Sequence, residues 1–198
     1  MKKRKFLRNR KPLIYLLFEG RNETEYLYFS HFLLRENKFV LKLVRCEVTD
    51  IKRIYNKGIN IAKDNDLDNK LGDRVICVVD IDLNPSKYNL VNLLRNKKSK
   101  FHIDFIISNP CFEIWLLFHL TKNPKVLNSS QLVKKELQRC VPNYIESYDI
   151  YEKENLDLKV ARKNVQEKNN QYKDILELDR NPYTEVDKVF DLFDELNK

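Results

Sequence analysis

Two apolar runs in this sequence end in carboxylates. Arg74-Val75-Ile76-Cys77-Val78-Val79 leads straight into Asp80-Ile81-Asp82, and Leu13-Ile14-Tyr15-Leu16-Leu17-Phe18 leads into Glu19-Gly20. Carboxylates at the end of a buried strand are poorly solvated and repel one another, so their charge needs compensation. A hard divalent cation that prefers oxygen ligands compensates it, which makes Mg2+ or Mn2+ the expected cofactor. Two such ions roughly 4 Å apart, bridged by carboxylates, would clamp both oxygens of an in-line phosphoryl displacement. The Asp-x-Asp spacing suits this chemistry, because alternate residues of an extended segment point the same way.

Positioning these groups takes a sheet. Leu13–Phe18 reads as strand one, and Asn22 as the cap of a helix reaching about Glu36, with Tyr26, Phe29, Leu33 and Leu34 as its buried stripe. Phe39–Val48 alternates as a second strand, and Ile51–Ala62 has the spacing of a helix. Asp64–Gly72 is polar and looped, Arg74–Val79 is strand three, Leu90–Leu94 belongs to a helix, and Phe101–Ile107 is strand four. Asn109-Pro110 then reads as a cap and first residue of a helix carrying Phe112, Trp115, Leu116 and Leu120. This alternation predicts an α/β fold with a mostly parallel sheet flanked by helices. From Thr121 the pattern predicts helices alone, the last opening at Asn181-Pro182 with Val186, Val189, Phe190 and Phe193 on one face. The expected division is a basic mobile arm over 1–11, a catalytic core over 12–120 and a helical C-terminal extension over 121–198.

In a parallel α/β sheet, ligands gather beyond the C-terminal ends of the strands. Glu19, Asp80 with Asp82, and the stretch Asn109 to Glu113 would meet there, with Glu23 and Glu25 close enough to join. Two readings stand for the outer acids. Glu25 either closes a capping box with Asn22 or holds metal. Glu113 either serves a helix's first turn or holds metal. Asp82 is a ligand or a turn residue before Asn84-Pro85. His31, His102 and His119 lack a zinc spacing. With only three glycines and no Gly-x-x-x-x-Gly-Lys, no loop is available to cradle nucleotide phosphates.

The net charge of +8 sits in the arm: Lys2, Lys3, Arg4, Lys5, Arg8, Arg10 and Lys11 carry seven charges, leaving the body at +1. The arm is a candidate to bind the phosphate backbone of nucleic acid, or else a solubilising tail. Cys46, Cys77, Cys111 and Cys140 are widely spaced and read as reduced thiols of a cytoplasmic protein. The basic start before Pro12–Phe18 has the outline of a signal peptide, but that apolar stretch is seven residues and stops at Glu19. No run approaches the roughly 18 apolar residues of a membrane span.

Three segments together resemble a known family: Phe18-Glu19-Gly20 with Thr24-Glu25 and Tyr28-Phe29, then Val79-Asp80-Ile81-Asp82, then Ser108-Asn109-Pro110-Cys111-Phe112-Glu113-Ile114-Trp115. The set resembles the RloB-like family, and Asn181-Pro182-Tyr183-Thr184 is similar to its closing motif. The resemblance implies a Toprim-like catalytic core in which Glu19 is a metal ligand or general acid/base and Asp80 and Asp82 are ligands. Glu25 and Glu113 match further acidic positions, and the longer Glu19-to-Glu25 spacing leaves open whether Glu23 or Glu25 faces the metal. It also implies a Mg2+-dependent nuclease of DNA or RNA, an effector of antiphage or abortive-infection systems, often paired with a separate ATPase subunit. Two alternatives stand beside it. One is a haloacid-dehalogenase-type phosphotransferase with Asp80 as nucleophile and Asp82 as acid, although Asn84 stands where that chemistry wants threonine. The other is a non-catalytic Toprim binding subunit.

Overall fold

Four apolar segments form the parallel part of one sheet: β1 (Leu13–Phe18), β2 (Val40–Arg45), β3 (Arg74–Asp80) and β4 (Ile103–Asn109). This is a computed structural model, and it describes residues 10–20, 23–33, 36–173, 175–176 and 179–198. A two-residue strand, β5 (Tyr183–Thr184), adds antiparallel to β4, and the order is β2-β1-β3-β4-β5. Phe18 pairs with Val78 and Asp80 with Ser108, so the C-terminal ends of β1, β3 and β4 finish nearly level.

Both faces are buried, as a parallel sheet requires. Ile14, Leu16, Phe18, Ile76 and Val78 face one apolar core; Tyr15, Leu17, Val75, Cys77 and Val79 face the other. The second core is closed by α2 (Ile51–Asp64) and α3 (Pro85–Arg95). Gly58 lets α2 lie close, since a Cβ there would stand 3.1 Å from Val75 Cγ1. The first core is covered by α1 (Thr24–Ser30), α4 (Glu113–Leu120), α5 (Ser130–Cys140), α6 (Ile150–Lys153), α7 (Leu158–Asn170) and α8 (Val186–Leu196). α4 is buried on every side, and Trp115 is fully buried within it. Its ring stacks on Phe190 at 5.8 Å between centroids, so the last helix is part of the same core as the sheet. Among the described residues, no helix is long and apolar enough to cross a membrane.

Several local expectations are corrected. Asn109 ends β4 rather than capping a helix: its side chain accepts from the Leu83 amide and donates to the Arg180 carbonyl, and α4 starts only at Glu113. Asn181 likewise spends its amide on the Leu127 carbonyl, and a strand, not a helix, follows Pro182. The Asn109-Pro110 and Asn181-Pro182 bonds are both cis. The expectation of helices alone after Thr121 therefore yields to a strand at Tyr183–Thr184. α1 is shorter than expected, ending at Ser30, and its buried face is Thr24, Glu25, Tyr28 and Phe29. Leu33 is exposed, Tyr26 lies under the Arg45 guanidinium, and Asn22 and Leu34 fall outside the described residues. The looped Asp64–Gly72 segment contains one 3-10 turn, Asn69–Leu71.

Candidate functional site

Five acids reach the C-terminal edge of the sheet from four pieces of chain. Glu19 follows β1, Asp80 closes β3, Asp82 sits in the turn beyond it, Glu25 lies in the first turn of α1 and Glu113 opens α4. Burial, then the charges of Glu25, Glu113, Glu19 and Asp82, drive the Asp80 carboxyl well above its ordinary value. Burial and the neighbouring Glu113 push Glu25 up to about 8. Burial also raises Glu19, against the opposing pull of Lys87. Crowded carboxylates that resist ionisation at a strand edge mark a candidate functional site.

Each acid has a distinct setting. Glu19 Oε2 accepts from the Asp80 amide at 3.2 Å. Glu113 Oε1 accepts from the Tyr144 hydroxyl at 3.1 Å and lies 3.6 Å from the Lys134 ammonium, which is also paired with Glu146. Thr24 Oγ1 is 3.3 Å from the same tyrosine hydroxyl. Glu25 is 3 % exposed and its Oε2 has no hydrogen-bond partner. Glu23, by contrast, is half-exposed and faces Arg45, so Glu25 is the acid that turns inward. Glu23 is the N-cap of α1, which places Glu25 in the first turn rather than at the closing position of an Asn22 box.

Asp82 departs from the extended geometry expected of an Asp-x-Asp. Asp82 and Leu83 both have left-handed backbones, φ +54° and +55°. For residues with a Cβ that conformation is strained and needs outside support. Asn109 Oδ1 supplies part of it to the Leu83 amide at 2.9 Å, and the Pro110 carbonyl holds the Asp82 amide at 2.9 Å. The turn swings the Asp82 side chain outward, where it accepts from Ser130 Oγ and Lys87 Nζ, both at 2.7 Å.

The donor set fits a hard cation: all five groups are carboxylates, and the orphaned Glu25 oxygen is a buried acceptor in want of a partner. The five are not drawn to ligating distance of one another. Among the described residues, the acidic group whose ligand atoms lie within 4.8 Å is His31, Asp149 and Glu152. There His31 Nε2 already sits 2.8 Å from Asp149 Oδ1, and its ring stacks on Tyr151. That is the geometry of a hydrogen-bonded His–Asp pair at the end of α1. His102 faces Asp104 at the surface, and His119 is buried between Tyr28 and the Asp157 carbonyl, its pKa pushed down to about 4 by burial.

The sequence pattern described as RloB-like protein matches residues 14–192, nearly the whole chain. The chain belongs to the RloB-like family. No curated protein and no solved structure matches it. The match spans all five carboxylates as well as β5 and most of α8.

Of the seven basic residues proposed for nucleic acid in this RloB-like chain, Lys2, Lys3, Arg4, Lys5 and Arg8 lie outside the described residues. Arg10 is engaged elsewhere: its guanidinium forms an ion pair with the buried Asp73 carboxylate. Lys11 donates to the Asn37 carbonyl at 2.7 Å. Lys87, Tyr144 and Ser130 are site residues that sequence reasoning missed; the sequence places Asn109 at this edge, but as a helix cap. Only Lys87 carried a local signal, a cation in the first turn of a helix, where the dipole disfavours it.

The Glu25 shift has a pH consequence. Its carboxyl stays protonated in the fold up to about 8, whereas the unfolded chain ionises near the ordinary value of 4.5. The unfolded state binds fewer protons through that window, so stability falls as pH rises across it. His119 acts in the opposite sense, but only below its ordinary value near 6.5. The melting temperature of the metal-free RloB-like protein should therefore drop between about pH 6.5 and 8.5. Glu25→Gln should flatten that drop; an unaltered pH profile would show that Glu25 does not titrate there.

Proposed function

We propose that the protein is a Mg2+- or Mn2+-dependent nuclease that hydrolyses phosphodiester bonds of DNA or RNA on a Toprim-like core. The observation that carries this reading is the convergence of Glu19, Glu25, Asp80 and Glu113 at one strand edge, with Asp82 at its rim and a buried Glu25 oxygen left unpartnered. Glu19, Glu25, Asp80, Asp82 and Glu113 are the groups that would hold the ion. Bound there, a divalent cation would supply electrostatic stabilisation of charge building on the phosphoryl oxygens.

The chain's own groups have separable tasks. Glu19 is the carboxylate to take a proton from the attacking water: it is mostly buried, its pKa is raised, and one oxygen is fixed by the Asp80 amide. Tyr144 orients Glu113, and Asn109 holds the turn that presents Asp82. The basic arm would grip the phosphate backbone without reading sequence. What the family resemblance implies joins this proposal: an effector of an antiphage or abortive-infection system, working with a separate ATPase subunit in the cytoplasm.

The test is incubation of purified protein with mixed DNA and RNA, followed by sequencing of the new ends. Cleavage should be absent in EDTA and return with Mg2+ or Mn2+; cleavage that persists in EDTA rejects the reading. A second expectation concerns the arm. Removing residues 1–9 spares the Arg10–Asp73 pair. On duplex DNA it should flatten the slope of log affinity against log salt by about 0.9 for each phosphate the arm had neutralised. An unchanged slope would make the arm a passive tail.

A further inference from the structure

Lys87 is the third residue of α3, fixed beside the Asp-x-Asp turn. Asn84 Oδ1 caps the Ser86 and Lys87 amides, and the Asn84 amide returns to the Ile81 carbonyl. From there the ammonium reaches three oxygens: Asp82 Oδ2 at 2.7 Å, the Asp80 carbonyl at 3.1 Å and Glu19 Oε1 at 3.2 Å. All three belong to acids proposed as metal ligands, two of them as carboxylate oxygens, and all three are donors of the kind a hard cation takes. We propose that Lys87 is the cation-selectivity residue of the carboxylate cluster: its ammonium is a tethered cation that excludes monovalent ions from the Glu19–Asp82 end and yields only to a divalent one. This inference rests on the metal-site reading above.

The argument is one of charge and concentration. A tethered ammonium faces its oxygens at a high effective concentration, with no association entropy to lose. A free Na+ or K+ brings the same unit charge and the full cost of association, so it cannot displace the lysine. A divalent ion brings twice the charge to a cluster of five carboxylates, and the Coulomb gain scales with it. Lys87 can withdraw because its side chain is 24 % exposed and stands at the open start of a helix. Its pKa is consistent with the role: burial would lower it, but the Asp82 bond and the Glu19 charge outweigh burial and raise it. Lys134 differs, being 3.6 Å from Glu113 and closer to Glu146.

The experiment is a calorimetric Mn2+ titration of the full chain and of Lys87→Met, each in sodium chloride and in tetramethylammonium chloride of equal ionic strength. Tetramethylammonium is too large to enter between the carboxylates. Wild type should bind Mn2+ alike in both salts. Lys87→Met should bind more tightly than wild type in tetramethylammonium, by roughly tenfold, within the usual range for a coupling between sites. It should lose part of that gain in sodium, and Lys87→Gln should behave in the same way. Equal or weaker Mn2+ binding by both variants, or the same response to the two salts as wild type, overturns the role of Lys87 alone. A wild type that takes up no Mn2+ overturns the metal-site reading and this inference with it.

Discussion

Asp80→Asn should melt no lower than wild type in EDTA, and should no longer be stabilised by Mg2+. The substitution puts a neutral amide of nearly the same volume where burial and four neighbouring acids already oppose ionisation. The metal-free protein thereby loses no favourable charge and avoids the repulsion and burial cost that an ionised Asp80 would bring. Wild type should gain about 2.7 kcal/mol at a metal concentration 100-fold above Kd. For a chain of this size that is an upward shift of about 5–10 °C. Asp80→Asn should show almost none of it, and cleavage of nucleic acid should fall to background. Thermal melts of both proteins with and without metal decide the matter. A variant that melts far lower in EDTA yet responds normally to Mg2+ would make Asp80 a structural hydrogen-bonding acid.

The second large effect lies at the opposite edge of the sheet. Asp73 is fully buried and accepts from the Arg10 guanidinium, the Leu13 amide and the Asp68 amide, the latter two at 2.8 Å. Burial alone would raise its carboxyl; the Arg10 bond and the two amides outweigh that and hold it below its ordinary value. Asp73→Ala would leave a partly buried guanidinium and two amides without their acceptor. Removing one partner of a buried pair costs about 3–5 kcal/mol. Chemical denaturation should show a loss of that size, with Arg10→Ala costing less because its own side chain is partly solvated. A loss under about 1 kcal/mol would place the pair among surface bridges that contribute little. Because Asp73's folded pKa is depressed, its contribution is present above the ordinary carboxylate value and fades as pH falls below it.

The two central strands, β1 and β3, are legible in the sequence because they are runs of consecutive apolar residues. β1 has the bounds read from sequence, and β3 extends that reading by one residue, to Asp80. Both faces of these strands are buried, so they need no alternation to announce them. Helix starts are harder to read. An Asn-Pro pair suggests a cap and first helical residue, yet Asn109 and Asn181 use their side chains on distant backbone groups, Leu83, Arg180 and Leu127. No local pattern announces such long-range bonds. The same holds within the site. Glu19, Asp80, Glu25 and Glu113 can be placed at one edge from strand ends and topology alone. Tyr144 and Ser130 come from far down the chain, 31 residues from Glu113 and 48 from Asp82, and carry no periodicity that points inward. The extended reading of Asp82 fails because its left-handed backbone depends on support from Asn109 and Pro110.

Crystals soaked in Mn2+ and measured by anomalous diffraction test the central claim most directly. A density peak among Glu19, Glu25, Asp80 and Glu113, lost in Asp80→Asn, is the result expected from a metal-dependent nuclease built at this strand edge. A map with no peak there, or with its only peak at His31, Asp149 and Glu152, would contradict it.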